Sequence, residues 1–159
     1  EIYAFVADRI RSWDATTNDG PGAGESVARV DVGFGLDEPA WVCLVFDTRP
    51  DAEPDGEWNG HIQGNDLERP HWAEALDAVF EGEPITLILP DGTRLEPTED
   101  GDELVAAVGD MLKAVLLKAR ADGLFDALPR APRCELGVEE QNGGYGWPVY
   151  EERGRENLA

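Results

Sequence analysis

The sequence predicts one α+β domain with a mainly antiparallel sheet and about three helices, in the order α-β-β-β-α-β-β-α-β. Residues 2–13 and 104–116 repeat apolar side chains at the spacing of amphipathic helices. Residues 28–36 alternate apolar and polar side chains, and residues 41–46 are continuously apolar, as strands are. Short loops between consecutive strands favour antiparallel neighbours, with the helices packed on one face of the sheet.

The first predicted elements are one helix and two strands. The helix over residues 2–13 has an apolar stripe made of Ile2, Phe5, Val6, Ile10 and Trp13. Residues 28–36 predict a half-buried strand, because every second side chain is apolar. The run WVCLVF at residues 41–46 predicts a central strand that is covered on both faces.

The middle of the chain predicts a strand, a helix and a hairpin. Residues 57–63 alternate again, and Pro70 is a favourable first residue for a second helix. That helix has a core-facing stripe of Trp72, Ala75, Leu76, Val79 and Phe80. Residues 85–89 and 93–96 flank a Pro-Asp-Gly turn, which predicts a β-hairpin.

The third helix and the last strand complete the predicted fold. Asp100 can cap the helix with Glu103 in a capping box, and Gly123 can end it. Its buried stripe consists of Leu104, Val108, Met111, Leu112, Val115 and Leu116. The last strand alternates Cys134, Leu136 and Val138 with Glu135, Gly137 and Glu139. Residues 1–159 are predicted to form one globular domain, with a tail from about 141 to 159 that is rich in glycine and aromatic residues.

The charge of the chain excludes some classes of partner. It has 34 acidic and 13 basic residues, a formal net charge of −21. General nucleic-acid binding rests on clustered Lys and Arg, and an anionic membrane surface repels an acidic protein, so neither partner is expected. No apolar run approaches the roughly 20 residues of a transmembrane helix. The runs of acidic residues are typical of solvated loops and helix starts, and the sharper hypothesis is that they are complementary to a basic protein partner.

The cysteines and the first residues predict a cytoplasmic protein. Cys43 and Cys134 lie in apolar segments without CxxC spacing, which is typical of buried thiols. Whether they form a disulfide stays open at this stage, although a core of this size does not need one. The N-terminal residues show neither a basic region nor the apolar core of a signal peptide.

Motifs for catalysis, cofactors and metals do not occur in this sequence, so no cofactor or metal is predicted. The strongest candidate ligand site is the polar side of the strand at 57–63, with Asn59, His61 and Gln63. Arg29 and Asp31 can face the same way from a neighbouring strand. Such a patch can hold a small ligand or a general acid or base, but it is also typical of a solvated sheet face. His71 is interpreted as a surface or packing residue.

Two groups of residues are candidates for contact with a protein partner. The acidic loop at 47–57 supplies charge next to a tryptophan, and its candidate residues are Asp51, Glu53, Asp55, Glu57 and Trp58. The tail supplies aromatic side chains of the kind found at interface hot spots, namely Tyr145, Trp147 and Tyr150. The alternative for the tail is that it folds back and completes the core.

Three segments carry a resemblance, namely WVCLVFDTRPDAEPDGEW, GNDLERPHW and the tail YGWPVYEERG. They resemble the immunity proteins, small acidic bacterial domains found beside polymorphic or contact-dependent toxins. The resemblance implies a protein that binds a cognate toxin domain and blocks it without catalysis. No site residue is carried over, because none matches a family motif position by position.

The leading hypothesis is therefore a non-enzymatic, cytoplasmic interaction protein of the immunity type, whose acidic surface meets a basic toxin face. The alternative is a small-molecule-binding or hydrolytic domain that uses the polar sheet face around His61. A structural subunit of a homo-oligomer is a third possibility.

Overall fold

The structure, a computed structural model, describes residues 1–12, 26–36, 40–47, 61–62, 67–68, 70, 72–74, 77, 81, 86–88, 92, 94–96, 102–147 and 156–157. Its helices are α1 (Ile2–Arg11), α2 (Asp102–Ala121) and a 3-10 helix (Leu124–Ala127). Its strands are β1 (Val27–Gly35), β2 (Trp41–Asp47), β3 (His61–Ile62), β4 (Leu67–Glu68), β5 (Leu87–Ile88), β6 (Arg94–Leu95), β7 (Arg130–Glu140), β8 (Gly146–Trp147) and β9 (Glu156–Asn157).

The fold is α+β, as predicted, but its main sheet is mixed rather than mainly antiparallel. The strands follow the order β3-β2-β1-β7-β8, with β4 also paired to β2 and β9 also paired to β7. The central pair, β1 with β7, is parallel, whereas β1 with β2 is antiparallel. The prediction was wrong here because it assumed that strands pair with their neighbours in sequence. Residues 36–129 give a connection long enough to return the chain for a parallel pairing.

The predicted element order and the three helices are not confirmed. For the second predicted helix, the structure describes helical backbone at Ala73, Glu74 and Asp77, and Glu81 N donates to Asp77 O at 3.0 Å. Trp72, the first residue of the predicted stripe, is buried, and so is Ala73. The remaining residues of that stripe lie outside the described residues. Strands β4, β8 and β9 were not predicted as separate elements.

The two helices with described ranges bury their predicted faces. In α1, Ile2, Val6 and Ile10 are buried, while Trp13 lies outside the described residues. In α2, the predicted stripe faces the core, with Met111 and Val115 only partly buried. The predicted cap Asp100 lies outside the described residues, and Gly123, with a φ of +71°, follows the helix as predicted. Neither helix is long and apolar enough to cross a membrane.

Strand β1 is covered on both faces, although its alternation predicted one wet face. Asp31, Gly33 and Gly35 are buried together with Val30, Val32 and Phe34. That face is covered by side chains of the sheet itself, because the Trp41 indole and the Gln141 side chain lie over Gly35 and Arg29 pairs with Asp31. Two more of the strand predictions agree with the structure: residues 42–46 of β2 are buried throughout, and Cys134, Leu136 and Val138 of β7 are buried.

The predicted hairpin in the middle of the chain is present. Strand β5 pairs antiparallel with β6, and Leu87 aligns with Leu95. This pair forms a second, two-stranded sheet, on which Ile88 is exposed. Of the strand predicted over residues 57–63, the structure describes only His61 and Ile62, which form β3.

Candidate functional site

The acidic loop, the main candidate for partner contact, lies outside the described residues. This applies to Asp51, Glu53, Asp55, Glu57 and Trp58. It also applies to Tyr150 of the tail and to Asn59 and Gln63 of the candidate ligand patch. The roles proposed for these residues therefore stay predictions. The structure does place the other candidates, which are Arg29, Asp31, Tyr145, Trp147 and the backbone of His61.

Tyr145 packs against α2 and the sheet. Its ring lies so close to Gly109 that a Cβ at that position would be 2.5 Å from ring carbons. The ring of Phe34 is 6.3 Å away, centroid to centroid, at a tilt of 59°. The Tyr145 hydroxyl donates to Asp110 Oδ1 at 2.8 Å. Burial, and then the hydrogen bond to Asp110, raise the pKa of Tyr145.

Trp147 belongs to the same half-buried layer. It lies in β8 and aligns with Val138 of β7, and the Lys113 ammonium is 5.2 Å from the centroid of its ring. Val105, Gly109 and Lys113 are four residues apart on α2 and so share one face. Val105 lies next to Gly144, Gly109 lies under the Tyr145 ring, and the Lys113 ammonium lies over the Trp147 ring. Both aromatic side chains thus complete the core, which is the alternative interpretation of the tail.

Glu140 organises the turn that carries these aromatic residues. Its carboxylate is on the core side of the sheet, and the residue is 6% exposed. Glu140 Oε2 accepts from Asn142 N at 2.8 Å and from Gly144 N at 2.9 Å, and Oε1 accepts from Asn142 Nδ2 at 3.2 Å. The backbone closes the turn, since Gly143 N donates to Glu140 O and Glu140 N donates to Tyr145 O. We call residues 140–145 the Glu140 turn.

The close approach of Tyr145 predicts that Gly109→Ala destabilises the protein. Alanine normally stabilises a helix interior by about 1 kcal/mol over glycine. Here the added methyl group meets the Tyr145 ring, and overpacking of this kind costs about 1–3 kcal/mol. Urea unfolding measures the difference. In a Tyr145→Ala background the same substitution should stabilise instead, and a gain in stability with Tyr145 present would contradict the packing described.

A second cluster lies on the other face of the sheet and consists of Arg29, Asp31 and Glu139. The Arg29 guanidinium pairs with Asp31 through Nε and donates from Nη2 to Glu139 Oε1 at 2.6 Å. The Arg29 and Asp31 side chains are only 15% and 7% exposed. Burial by itself lowers the pKa of Arg29, but the carboxylates of Asp31 and Glu139 outweigh it and raise that pKa. The cluster therefore holds Arg29 charged inside a shielded site.

The strand register separates this cluster from the histidine of the candidate ligand patch. Asp31 aligns with Val45 of β2, and Val45 aligns with Ile62 of β3. His61 aligns with Phe46, which aligns with Val30 in the core-facing row. The backbone register therefore sets His61 and Asp31 in different rows of paired residues, and the ligand patch around His61 stays a prediction.

Other basic side chains in the described part of the chain also contact the chain's own acids and rings. Lys118 Nζ is 2.7 Å from Asp122 Oδ2, and the Tyr3 hydroxyl donates to the same carboxylate. These hydrogen bonds, from Lys118 first and then Tyr3, lower the pKa of Asp122. Arg130 pairs with Asp126 at 3.0 Å. The Tyr3 contact joins α1 to the end of α2, whereas the Arg130 pair joins the 3-10 helix to the start of β7.

The two cysteines are buried and do not form a disulfide, which answers the question that the sequence left open. Burial raises the pKa of the Cys134 thiol to about 11, so little of it is the reactive thiolate at neutral pH. Among the described side chains, no group of three His, Cys, Asp or Glu residues has the arrangement of a metal site.

Glu139, Glu140, Gly109 and Asp110 are site residues that the sequence did not single out. Glu139 and Glu140 fall in an acidic run that is typical of solvated surface, and only the pairing of β1 with β7 shows where they lie. Gly109 is a glycine inside a helix pattern, which was the one signal available for close packing.

Comparison of the chain with protein-family models, curated proteins and solved structures gives no significant match.

Proposed function

We propose that this protein acts in the cytoplasm as a non-enzymatic interaction protein of the immunity type, which binds a basic toxin domain and neutralises it. The observation that carries the proposal is the excess of 21 negative charges, from 34 acidic and 13 basic residues. Arg29, Lys118 and Arg130 are paired with carboxylates of the same chain, and Lys113 lies over Trp147. A partner therefore meets surplus acids, which attract a basic surface.

The acidic loop and Trp58 form the proposed contact. Exposed charges steer a partner toward the surface, and a desolvated tryptophan holds it there. Tyr145 and Trp147 pack on α2, so their contribution to a partner contact is limited to the parts of their rings that remain exposed. The acids of the loop are therefore expected to affect the on-rate, and Trp58 is expected to affect the off-rate.

The experiment begins with a selection for neutralisation. Genome fragments of the source organism that stop growth when expressed alone are co-expressed with this protein, and fragments whose toxicity it suppresses are recovered. A purified pair is then studied by binding kinetics at two salt concentrations. The proposal fails if no fragment is neutralised, or if the protein instead hydrolyses ester or phosphoester substrates in a reaction that His61→Ala abolishes.

Neutralising the loop should slow association. We expect the variant with Asp51→Asn, Glu53→Gln and Asp55→Asn to lose mainly on-rate at low salt. The difference from wild type should shrink as the Debye length falls from about 30 Å at 0.01 M to about 8 Å at 0.15 M salt. The matched control neutralises Asp8, Glu74 and Glu81, three exposed acids outside the loop. Equal effects of the two triple variants would show that net charge acts without a specific docking loop.

Trp58→Ala should act on the off-rate and cost about 2 kcal/mol or more of binding free energy. Trp147→Ala is measured beside it, together with urea unfolding, because Trp147 also packs on the core. An unchanged off-rate in the Trp58 variant would remove this residue from the proposed interface.

A further inference from the structure

We propose that Asn142 is a site of spontaneous deamidation, and that its conversion to aspartate or isoaspartate opens the Glu140 turn. Asn142 and Gly143 are exposed and adjacent, and Gly143 has a φ of +81°. Glycine has no Cβ to obstruct the approach of its own backbone nitrogen to the preceding side chain. This proposal does not depend on the proposed function.

The reaction needs only water. The Gly143 backbone nitrogen loses its proton and attacks Asn142 Cγ, which forms a C–N bond and closes a five-membered succinimide. The Cγ–Nδ2 bond breaks, and ammonia leaves with the proton. Water then opens the ring at one of its two carbonyl carbons and yields aspartate or isoaspartate. One water is consumed and one ammonia is released, with no change in oxidation state.

In the closed turn, the attacking nitrogen and the leaving amide are both hydrogen-bonded to Glu140. Gly143 N–H donates to Glu140 O at 3.0 Å, so the attacking nitrogen is engaged. Asn142 Nδ2 donates to Glu140 Oε1 at 3.2 Å, so the leaving amide is engaged as well. Both hydrogen bonds must break before the ring can close. The rate at Asn142 therefore reports how often the Glu140 turn opens.

The product does not fit the closed turn. A carboxylate replaces the Asn142 amide, which removes the donor to Glu140 Oε1 and puts a second acceptor in its place. Two carboxylates then face each other across this contact, and they repel each other where the amide had donated a hydrogen bond. Isoaspartate also lengthens the backbone of the turn. Modification thus favours the open turn, and the turn connects β7 to the segment with Tyr145 and Trp147.

The chain contains an internal comparison, because Asn59 is also followed by glycine. Asn59 lies outside the described residues, whereas the hydrogen bonds described for the Glu140 turn all join residues 140–145. Substitutions at Glu140 should therefore change conversion at Asn142 and leave conversion at Asn59 as it was. A synthetic peptide of residues 138–147, which lacks the fold, gives the rate of the unprotected pair.

The experiment incubates the purified protein in mildly alkaline buffer and follows each asparagine by peptide mapping and mass spectrometry. We expect conversion at Asn142 that is slower than in the peptide. Glu140→Gln should speed it roughly tenfold, the factor that corresponds to about 1.4 kcal/mol. Asn142→Asp, which mimics the product, should speed hydrogen exchange of the Glu140 amide, whereas Asn142→Gln keeps an amide donor and should change exchange less.

Three results would overturn the proposal. The first is an Asn142 that stays intact in wild type and in Glu140→Gln while the peptide converts. The second is a Glu140→Gln variant that changes Asn59 and Asn142 equally. The third is an Asn142→Asp variant with wild-type hydrogen exchange at the Glu140 amide. If Glu140→Gln fails to fold, the conversion rate in wild type relative to the peptide and the exchange of Asn142→Asp decide the matter.

Discussion

Replacing Arg29 with methionine is expected to destabilise the protein by about 3–5 kcal/mol, the cost of breaking a buried ion pair from one side. The substitution keeps an apolar stem but removes the cation that faces Asp31 and Glu139. Two carboxylates then remain close together in a site where Asp31 is 5% exposed. Urea unfolding, with its slope compared between variants, measures the loss.

The control replaces both central partners. The double variant Arg29→Met with Asp31→Leu removes the pair instead of one charge, and such exchanges are often nearly neutral. It should therefore recover much of the stability that Arg29→Met loses. A loss below about 1 kcal/mol for Arg29→Met, the value of a solvent-exposed pair, would contradict the burial of this cluster.

Leu112→Ala is expected to cost about 2–5 kcal/mol, because it leaves a cavity at a fully buried position of α2. Leu112 has 0% exposure and lies in the core that α1, α2 and the sheet share. Leu117 on the same helix is half-buried and gives a matched control. Leu117→Ala should cost clearly less in the same unfolding assay, and equal losses would mean that the helix faces are misassigned.

Helices α1 and α2 were predictable because their signal is local. The apolar spacing in α2 depends on one helical period, so neighbouring residues in sequence already define its buried face. The same holds for α1 and for the alternation in β7, whose buried residues Cys134, Leu136 and Val138 were predicted. Each of these predictions needs only one element and a core to face.

The sheet centre and the ion cluster were not predictable in this way. The parallel pairing of β1 with β7 joins distant segments. The residue pattern of a strand does not indicate which strand it pairs with, or whether the pair is parallel or antiparallel. Arg29 and Asp31 were assigned to a possible wet face because their partner Glu139 becomes a neighbour only through that pairing. Sequence reasoning also left Tyr145 and Trp147 between interface and core, since glycine-rich aromatic segments occur in both.

The pairing of β1 with β7 also bears on how the chain folds. Val30 aligns with Leu136, 106 positions later in the chain. Contacts of such high sequence separation require a large loop to close before they stabilise anything, which slows folding. During synthesis, β1 and β2 emerge from the ribosome long before β7. Until β7 is made, the edge of β1 that will pair with it stays unpaired. We expect this interval to be when the chain depends most on chaperones, since an unpaired strand edge is a template for aggregation.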